Sequence, residues 1–296
     1  GVVAVAEPDK EITRDDIARV VEAARAITIP SSQEIIHVLP RGFIVDSQEG
    51  IADPIGMTGV RLEVDTHLVT AGATAVKNLR KCVEELGVHV DGLVFNGLAS
   101  AHAVLTQTER ELGVILVDIG GGTTDIAIFV DGALSYSSVI PVGARNITND
   151  LAIGLRVSIE SAEKIKLALS HTKKEVIAAD EDGEKKRPRV ETDELDIAAL
   201  GISEEVKKVS RKTLIEGIIR PRLNEIFTMV GLEIKKSGFG NMTPSGLVLV
   251  GGGADTVSIV EVARRNLAMS VRVGIPKNVT GLIDEILLPS YATSVG

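Results

Sequence analysis

One stretch, "VILVDIGGGTTDIAIFVDG" at residues 114–132, constrains the fold more than any other. An apolar run drops into three glycines and two threonines, and a second apolar run leaves them. Asp118 precedes the turn and Asp125 follows it. Apolar runs bounded by glycine predict two buried strands, one to about Ile119 and one from Asp125. The turn Gly120–Thr123 carries little side-chain bulk, so its backbone N–H groups can close on an anion. Thr123 and Thr124 add hydroxyl donors suited to phosphate oxygens. Two carboxylates beside such donors would repel a bare phosphate, which points to a Mg2+-nucleotide. The competing reading is a tight hairpin with solvated aspartates, since strand–glycine turns are common.

The 296 residues suit two domains or one two-lobed unit. A composition of 44% hydrophobic and 25% charged residues is that of a soluble globular protein. No apolar run reaches the roughly 18 residues that a membrane-spanning helix needs. A net charge of −9 argues against a nucleic-acid partner. With no Trp, two Tyr and five Phe, the cores must be aliphatic, which suits α/β layers. The single cysteine, Cys82, leaves no internal disulfide and fits a reducing cytoplasm. On its helix it reads as a small core residue. His37, His67, His89, His102 and His171 lack metal-ligand spacing. The sequence reads as having no secretory leader, and both ends read as interior segments cut from a longer chain.

Residues 11–29 carry a helix signature: Thr13 as N-cap, Asp15 and Asp16 in the first turn, then Ile17, Val20, Val21, Ala24 and Ile27 as one stripe. Strand patterns follow at 34–40, 42–46 and 60–70. In the last, Leu62, Val64, Thr66 and Leu68 alternate with polar residues, as in a strand with one wet face. The link 50–59 reads as loop. From about residue 72 helices and strands alternate: helix 73–87, buried strand 93–98, helix 100–113, then the opening stretch, strand 134–143 and helix 146–155. The charge run 171–194 reads as a solvated loop or exposed hairpin. A long helix starts near Ser210 and is interrupted near Pro221.

A second apolar strand, "LVLVGGGAD" at 247–255, also ends in three glycines. A dinucleotide fingerprint fits poorly, because Thr256 stands where its third glycine belongs and no acidic ribose partner follows. A turn whose bare backbone meets a nucleotide's base or α-phosphate is the simpler reading. In "SIESAEKIKLAL", 158–169, Ser158 is the expected N-cap and Ala162, Ile165 and Leu169 the buried stripe. Taken alone, Glu163 and Lys166 read as a surface ion pair.

Together these segments resemble the actin-like ATPase superfamily. "LVDIGGGTTDIAIF" is similar to its second phosphate loop and "LVLVGGGAD" to its adenosine motif. "VIPVGARNITNDLA" resembles the segment after that loop, and "SAEKIK" the helix that contacts ribose and base. Within the superfamily the chain is identified as a member of the bacterial FtsA family. "EIIHVLPRGFIVDSQEGIADPIGMTGVRLEV" resembles the inserted subdomain of that family, and "GLASAHAVLTQTERELGVILVDIGGGTTDIAIF" matches it nearly continuously. "VRVGIPKNVTGL" and "PSYATSVG" resemble its late segments.

The resemblance implies an α/β, actin-like (ribonuclease H-like) ATPase fold with a family-specific inserted α+β subdomain. It divides the chain into 1–71 (the insert), 72–112 (remainder of the first lobe), 113–154 with 238–296 (core of the second lobe), and 155–237 (its outer subdomain). The implied cofactors are ATP and Mg2+. Asp118 would position Mg2+, through water, or the attacking water. Gly120, Gly121, Gly122, Thr123 and Thr124 would cradle the β- and γ-phosphates, with Gly143 nearby. Glu163 and Lys166 would meet ribose and base, and Gly251, Gly252 and Gly253 the adenosine. The implied role is a scaffold that polymerises head to tail and ties FtsZ filaments to the cytoplasmic face of the inner membrane at mid-cell. The FtsZ C-terminal tail would dock on 155–237, with Arg220 and Arg222 as candidates, and later divisome proteins on 1–71. Two features of the resemblance have no counterpart here, the first phosphate loop and the C-terminal amphipathic membrane helix. Asn96–Gly97 also stand where many superfamily members carry a catalytic Glu, so weak or no ATPase activity is expected. The alternatives are a pilus-assembly or rod-shape scaffold, or a kinase on the same clamp.

Overall fold

The computed structural model describes residues 1–5, 10–170, 193–202, 208–277, 279–280 and 286–296. The chain opens with β1 (Val2–Ala4), α1 (Arg14–Arg25), β2 (Gln33–Val45), β3 (Gln48–Ile51) and β4 (Arg61–Gly72). These strands form an antiparallel sheet in the order β1-β4-β2-β3. Helix α1 starts at Thr13 because its side chain accepts the Asp16 N–H while the Asp16 carboxylate accepts the Thr13 N–H at 2.9 Å. Its buried face, Val20 and Ala24, packs on Ile12, Phe43, Val45, Leu62 and Val64.

Three expectations are corrected in this sheet. Segments 34–40 and 42–46 are one strand, which absorbs its extra residues in register shifts between Ile35 and His37 and between Pro40 and Gly42. Strand β3 enters the link read as loop. Its hairpin turns on Asp46 and Ser47, both at positive φ, where the Asp46 carboxylate accepts the N–H groups of Val60 and Arg61. In β4 the buried positions change phase: Leu62 and Val64 face α1, but Val69 rather than Leu68 is buried at the far end. There the strand shows its other face to a second core containing Ala101 and Leu134.

The second register shift of β2 falls at Arg41, whose Nε donates to Ser135 Oγ at 3.2 Å and whose guanidinium lies over the Phe239 ring. His67 Nε2 and Ser137 Oγ meet at 2.8 Å. Burial and the nearby Arg41 charge lower the His67 pKa.

Next come α2 (Ala73–Glu84), α3 (Asn96–Val104), α4 (Gln107–Leu112), β5 (Val114–Ile119), β6 (Thr124–Val130) and β7 (Ala133–Ile140). They are followed by α5 (Ala144–Leu155), α6 (Ile159–Ser170), β8 (Glu194–Asp196), β9 (Lys208–Ser210), α7 (Arg211–Leu214) and α8 (Arg220–Ser237). The chain ends with β10 (Leu247–Val250), α9 (Ile259–Leu267), β11 (Val271–Val273) and α10 (Ala292–Val295). A five-stranded sheet runs β11-β10-β5-β6-β7, with β11, β10 and β5 parallel and the rest antiparallel. Ile115, Val117 and Ile119 face a core shared with α5, α6, α8 and α9, while Val114 and Leu116 face α3 and α10. Burial of both faces is why β5 and β6 read as unbroken apolar runs.

Segment 93–98 is not a strand: no sheet edge among the described residues pairs with it, Val94 is 63% exposed, and α3 begins at Asn96. The single helix expected at 100–113 is two, because Thr106 caps α4 in a capping box with Glu109. Glu109 also holds Arg272 through paired bonds of 2.8 Å. Helix α2 buries only Val76, so Cys82 is exposed rather than a core residue. The interruption near Pro221 takes the form of a π-helical turn at Ile215–Ile219, just before the proline. The charge run lies outside the described residues up to 192, and so does His171. No helix among the described residues is long and apolar enough to cross a membrane.

Candidate functional site

The glycine turn between β5 and β6 is held from behind. Helix α5 begins at Gly143, and the N–H groups of Ala144 and Arg145 donate to the carbonyls of Gly120 and Gly121 at 2.9 and 2.8 Å. A Cβ on Gly143 would lie 2.6 Å from both carbonyl oxygens, so only glycine permits this approach. The Gly120 N–H closes the turn onto the Thr123 carbonyl at 2.9 Å. With the carbonyls turned toward α5, the N–H groups of Gly121, Gly122 and Thr123 have no partner among the described residues, and all three residues are exposed. These are three consecutive exposed backbone donors, the kind of group that binds phosphate.

Of the two threonines only Thr123 stays at this surface. Thr124 is fully buried and its hydroxyl donates to the Val142 carbonyl at 2.8 Å, which removes it as a phosphate contact. The sheet register dictates this: Thr124 already pairs with Ile119 and points to the α5 side. The Thr123 hydroxyl donates to Asp125 Oδ2 at 3.3 Å.

Asp118 and Asp125 are cross-strand partners. Burial, then the charge of Asp118, push the Asp125 carboxyl above its usual range. Asp118 Oδ2 accepts from Ser100 Oγ on α3 and from Thr293 Oγ1 on α10, each at 2.9 Å. Sequence reasoning did not find these two hydroxyls. Both lie in segments that match the family resemblance, but no local pattern marks them.

The second glycine turn follows β10, which lies beside β5 with Val250 opposite Asp118. Gly251 takes φ +83, and a Cβ there would stand 2.3 Å from Asp118 Oδ1 and 2.6 Å from the Ile119 carbonyl oxygen. A Cβ on Gly253 would meet the Ile119 side chain at 2.4 Å, whereas one on Gly252 would make only ordinary contact with Ser290 at 4.0 Å. The two glycine turns therefore pack against each other at Asp118 and Ile119. Beyond Gly253 a cleft of about 840 Å³ opens, lined by Ser170, Asp255, Thr256, Ser258, Glu261 and Arg265 among others. None of Gly120–Thr123 lines it.

Glu163 and Lys166 form the expected ion pair, but its Lys166 half is buried while Glu163 stays partly exposed. Lys166 is 8% exposed, and its Nζ donates to Glu163 Oε2 at 2.8 Å and Thr148 Oγ1 at 3.0 Å. Burial pushes the Glu163 carboxyl up, but bonds from Lys166 and Thr148 outweigh it and leave its pKa lowered. This cluster joins α6 to α5, the helix whose first turn backs Gly120 and Gly121. At the other end of α6, Ser170 Oγ accepts the Val257 N–H at 3.2 Å, which ties the helix to the segment after Gly253.

Arg220 and Arg222 are already paired. Arg222 bonds Asp150 through two nitrogens at 2.6 and 2.9 Å and also meets Glu225, while Arg220 meets Glu216 and Glu261. Both guanidiniums thus brace α8 against its neighbours. Among the histidines, His37 Nε2 accepts the Phe95 N–H, and burial lowers its pKa. No cluster of metal-ligating side chains occurs among the described residues.

Two family models match. One described as cell division protein FtsA covers residues 115–296, and one described as the SHS2 domain inserted in FtsA covers residues 1–70. The chain is 40% identical over its whole length to the cell division protein FtsA of Pseudomonas aeruginosa, spanning 67% of that protein. It is 36% identical to that of Escherichia coli K12 and 39% to that of Bacillus subtilis 168, spanning 68% and 63% of them. Among solved structures, a PilM–PilN type IV pilus biogenesis complex shares the fold with a TM-score of 0.61 at 13% identity, over 99% of this chain and 74% of that one. MreB5 of Spiroplasma citri bound to AMPPNP does so with a TM-score of 0.54 at 18% identity, over 76% and 64%.

Proposed function

The chain belongs to the FtsA family of cell division proteins, and from that premise we propose that it binds Mg2+–ATP at the paired glycine turns and works as a nucleotide-dependent scaffold. Its fold is the actin-like ATPase fold with an inserted SHS2 domain. The observation that carries the proposal is the set of partnerless N–H groups at Gly121, Gly122 and Thr123, with the Asp118 carboxylate at the root of the same turn. The residues present fit the nucleotide: the donors suit phosphate oxygens, and the carboxylate suits a hydrated cation.

In this reading Gly120–Thr123 grip the β- and γ-phosphates, with Gly143 and α5 holding the loop carbonyls out of the way. Asp118 faces the hydration shell of the metal. Mg2+ supplies the positive charge that lets phosphate and carboxylate share one site. Gly251–Gly253 and the adjoining cleft take the adenosine, and Glu163 and Lys166 shape the ribose side from α6. The MreB5 structure supports nucleotide as the ligand class, since that relative in fold carries AMPPNP. Asn96–Gly97 open α3 without a carboxylate, which favours nucleotide as an assembly switch over rapid hydrolysis.

At the level of the cell we propose head-to-tail polymers that hold FtsZ filaments to the cytoplasmic membrane at the septum. Residues 155–237 dock the FtsZ C-terminal tail, and residues 1–71 face later divisome proteins. Membrane attachment uses an amphipathic helix of the full-length protein. Arg220 and Arg222 would have to leave their present acidic partners to meet that tail. The test is sedimentation of the full-length protein with FtsZ that carries or lacks its C-terminal tail, with and without Mg2+–ATP. Tail-dependent co-sedimentation that ATP strengthens is expected. Co-sedimentation indifferent to both tail and nucleotide would overturn the proposal.

A further inference from the structure

Asp118 is the next-to-last residue of β5, and a carboxylate turns easily about its last torsion. Here two hydroxyls from remote parts of the chain fix one oxygen. Ser100 lies 18 residues before Asp118 and Thr293 lies 175 residues after it, and both donate to Oδ2. Ser100 Oγ and Thr293 Oγ1 are themselves 2.8 Å apart. Two hydroxyl protons cannot fill three edges of this triangle, and the two bonds ending on the carboxylate are favoured because they are charge-assisted. Oδ1, by contrast, has no hydrogen-bond partner among the described residues, although Asp118 as a whole is 7% exposed.

We propose that Ser100 and Thr293 are positioning residues that anchor Asp118 through Oδ2, so that Oδ1 is the oxygen offered to the hydrated Mg2+ of a bound nucleotide. The inference rests on the nucleotide-binding reading above. It makes α10 part of the site: the Pro289 carbonyl just before it accepts the Gly251 N–H at 2.9 Å, so one stretch of chain braces both Asp118 and the second glycine turn. Packing supports a fixed seat for it. A Cβ on Gly296 would collide with the Ala99 carbonyl, one residue before Ser100.

The test compares wild type with Thr293→Val, Thr293→Ser and Ser100→Ala in the full-length protein. Binding of a fluorescent ATP analogue is titrated with Mg2+ and repeated in EDTA, and amide exchange of residues 289–296 is followed without nucleotide. Loss of an outer-sphere hydroxyl should raise the Mg2+ midpoint about tenfold in Thr293→Val and in Ser100→Ala. Affinity in EDTA should stay unchanged, and Thr293→Ser should restore the wild-type midpoint. Faster exchange over 289–296 in Thr293→Val is expected as well. An unchanged Mg2+ midpoint in Thr293→Val, with wild type binding the analogue, overturns the positioning role even if exchange quickens. A wild-type protein that does not bind the analogue overturns the nucleotide reading, and the positioning role falls with it.

Discussion

Asp118 and Asp125 stand directly opposite each other on β5 and β6, one residue pair short of the glycine turn. Like charges at cross-strand positions oppose pairing, yet the chain keeps both carboxylates at the base of the donor cradle. The two are not equivalent. Asp118 is held by two hydroxyls, whereas Asp125 accepts one long bond from Thr123 and is pushed toward its neutral form by burial and by its neighbour.

Asp125→Asn should therefore stabilise the ligand-free protein. A carboxyl whose folded pKa is raised contributes its full stability when protonated and loses it as pH rises through the folded value. At neutral pH the charged Asp125 disfavours folding, so the asparagine variant should gain up to about 1 kcal/mol. The gain should fade as pH falls through the raised folded value toward the ordinary carboxylate range. Thermal melts of both proteins at pH 7 and pH 4 check this.

Glu109→Gln should act with the opposite sign. Burial raises the Glu109 carboxyl, but the Thr106 N–H and Arg272 outweigh it and leave its pKa lowered. That contribution is present above the unfolded pKa and is lost as pH falls through the lowered folded value. A loss of about 1 kcal/mol at pH 7, limited by solvent screening of the pair, should shrink in acid. Urea unfolding of the two proteins at pH 7 and at acid pH measures the difference.

The strand–turn–strand core, the capped α1 and the broken helix before α8 were all legible in the residues. Each depends on local chemistry: glycine backbone freedom, a capping box, a proline. What escaped was set by contacts between distant segments. The phase change in β4 depends on a second core that Val69 reaches and Leu68 does not. Thr124 carries the same hydroxyl as Thr123, and only strand register turns it inward. Lys166 read as a surface cation until α5 supplied Thr148 above it. Ser100 and Thr293 meet across most of the chain, and no window of sequence could join them.

Two glycines that look alike in sequence should respond differently to substitution. Gly251→Ala places a Cβ against Asp118 Oδ1 at positive φ and should cost about 3 kcal/mol or more. Gly121→Ala meets nothing within 4 Å and should keep its stability within about 0.5 kcal/mol. Its methyl would nonetheless crowd the donor cradle, so nucleotide affinity should fall. Chemical denaturation paired with a binding titration on each variant separates the two effects.

Mg2+-dependent binding of ATP to the full-length protein, wild type against Asp118→Asn, is the most direct test of the account. The asparagine keeps the shape and can still accept the Ser100 and Thr293 hydroxyls, but it removes the charge that faces the cation. Mg2+ should tighten binding to wild type and give little or no gain to Asp118→Asn. Equal Mg2+ enhancement in the two proteins would contradict it, and the glycine turn would then be a structural hairpin.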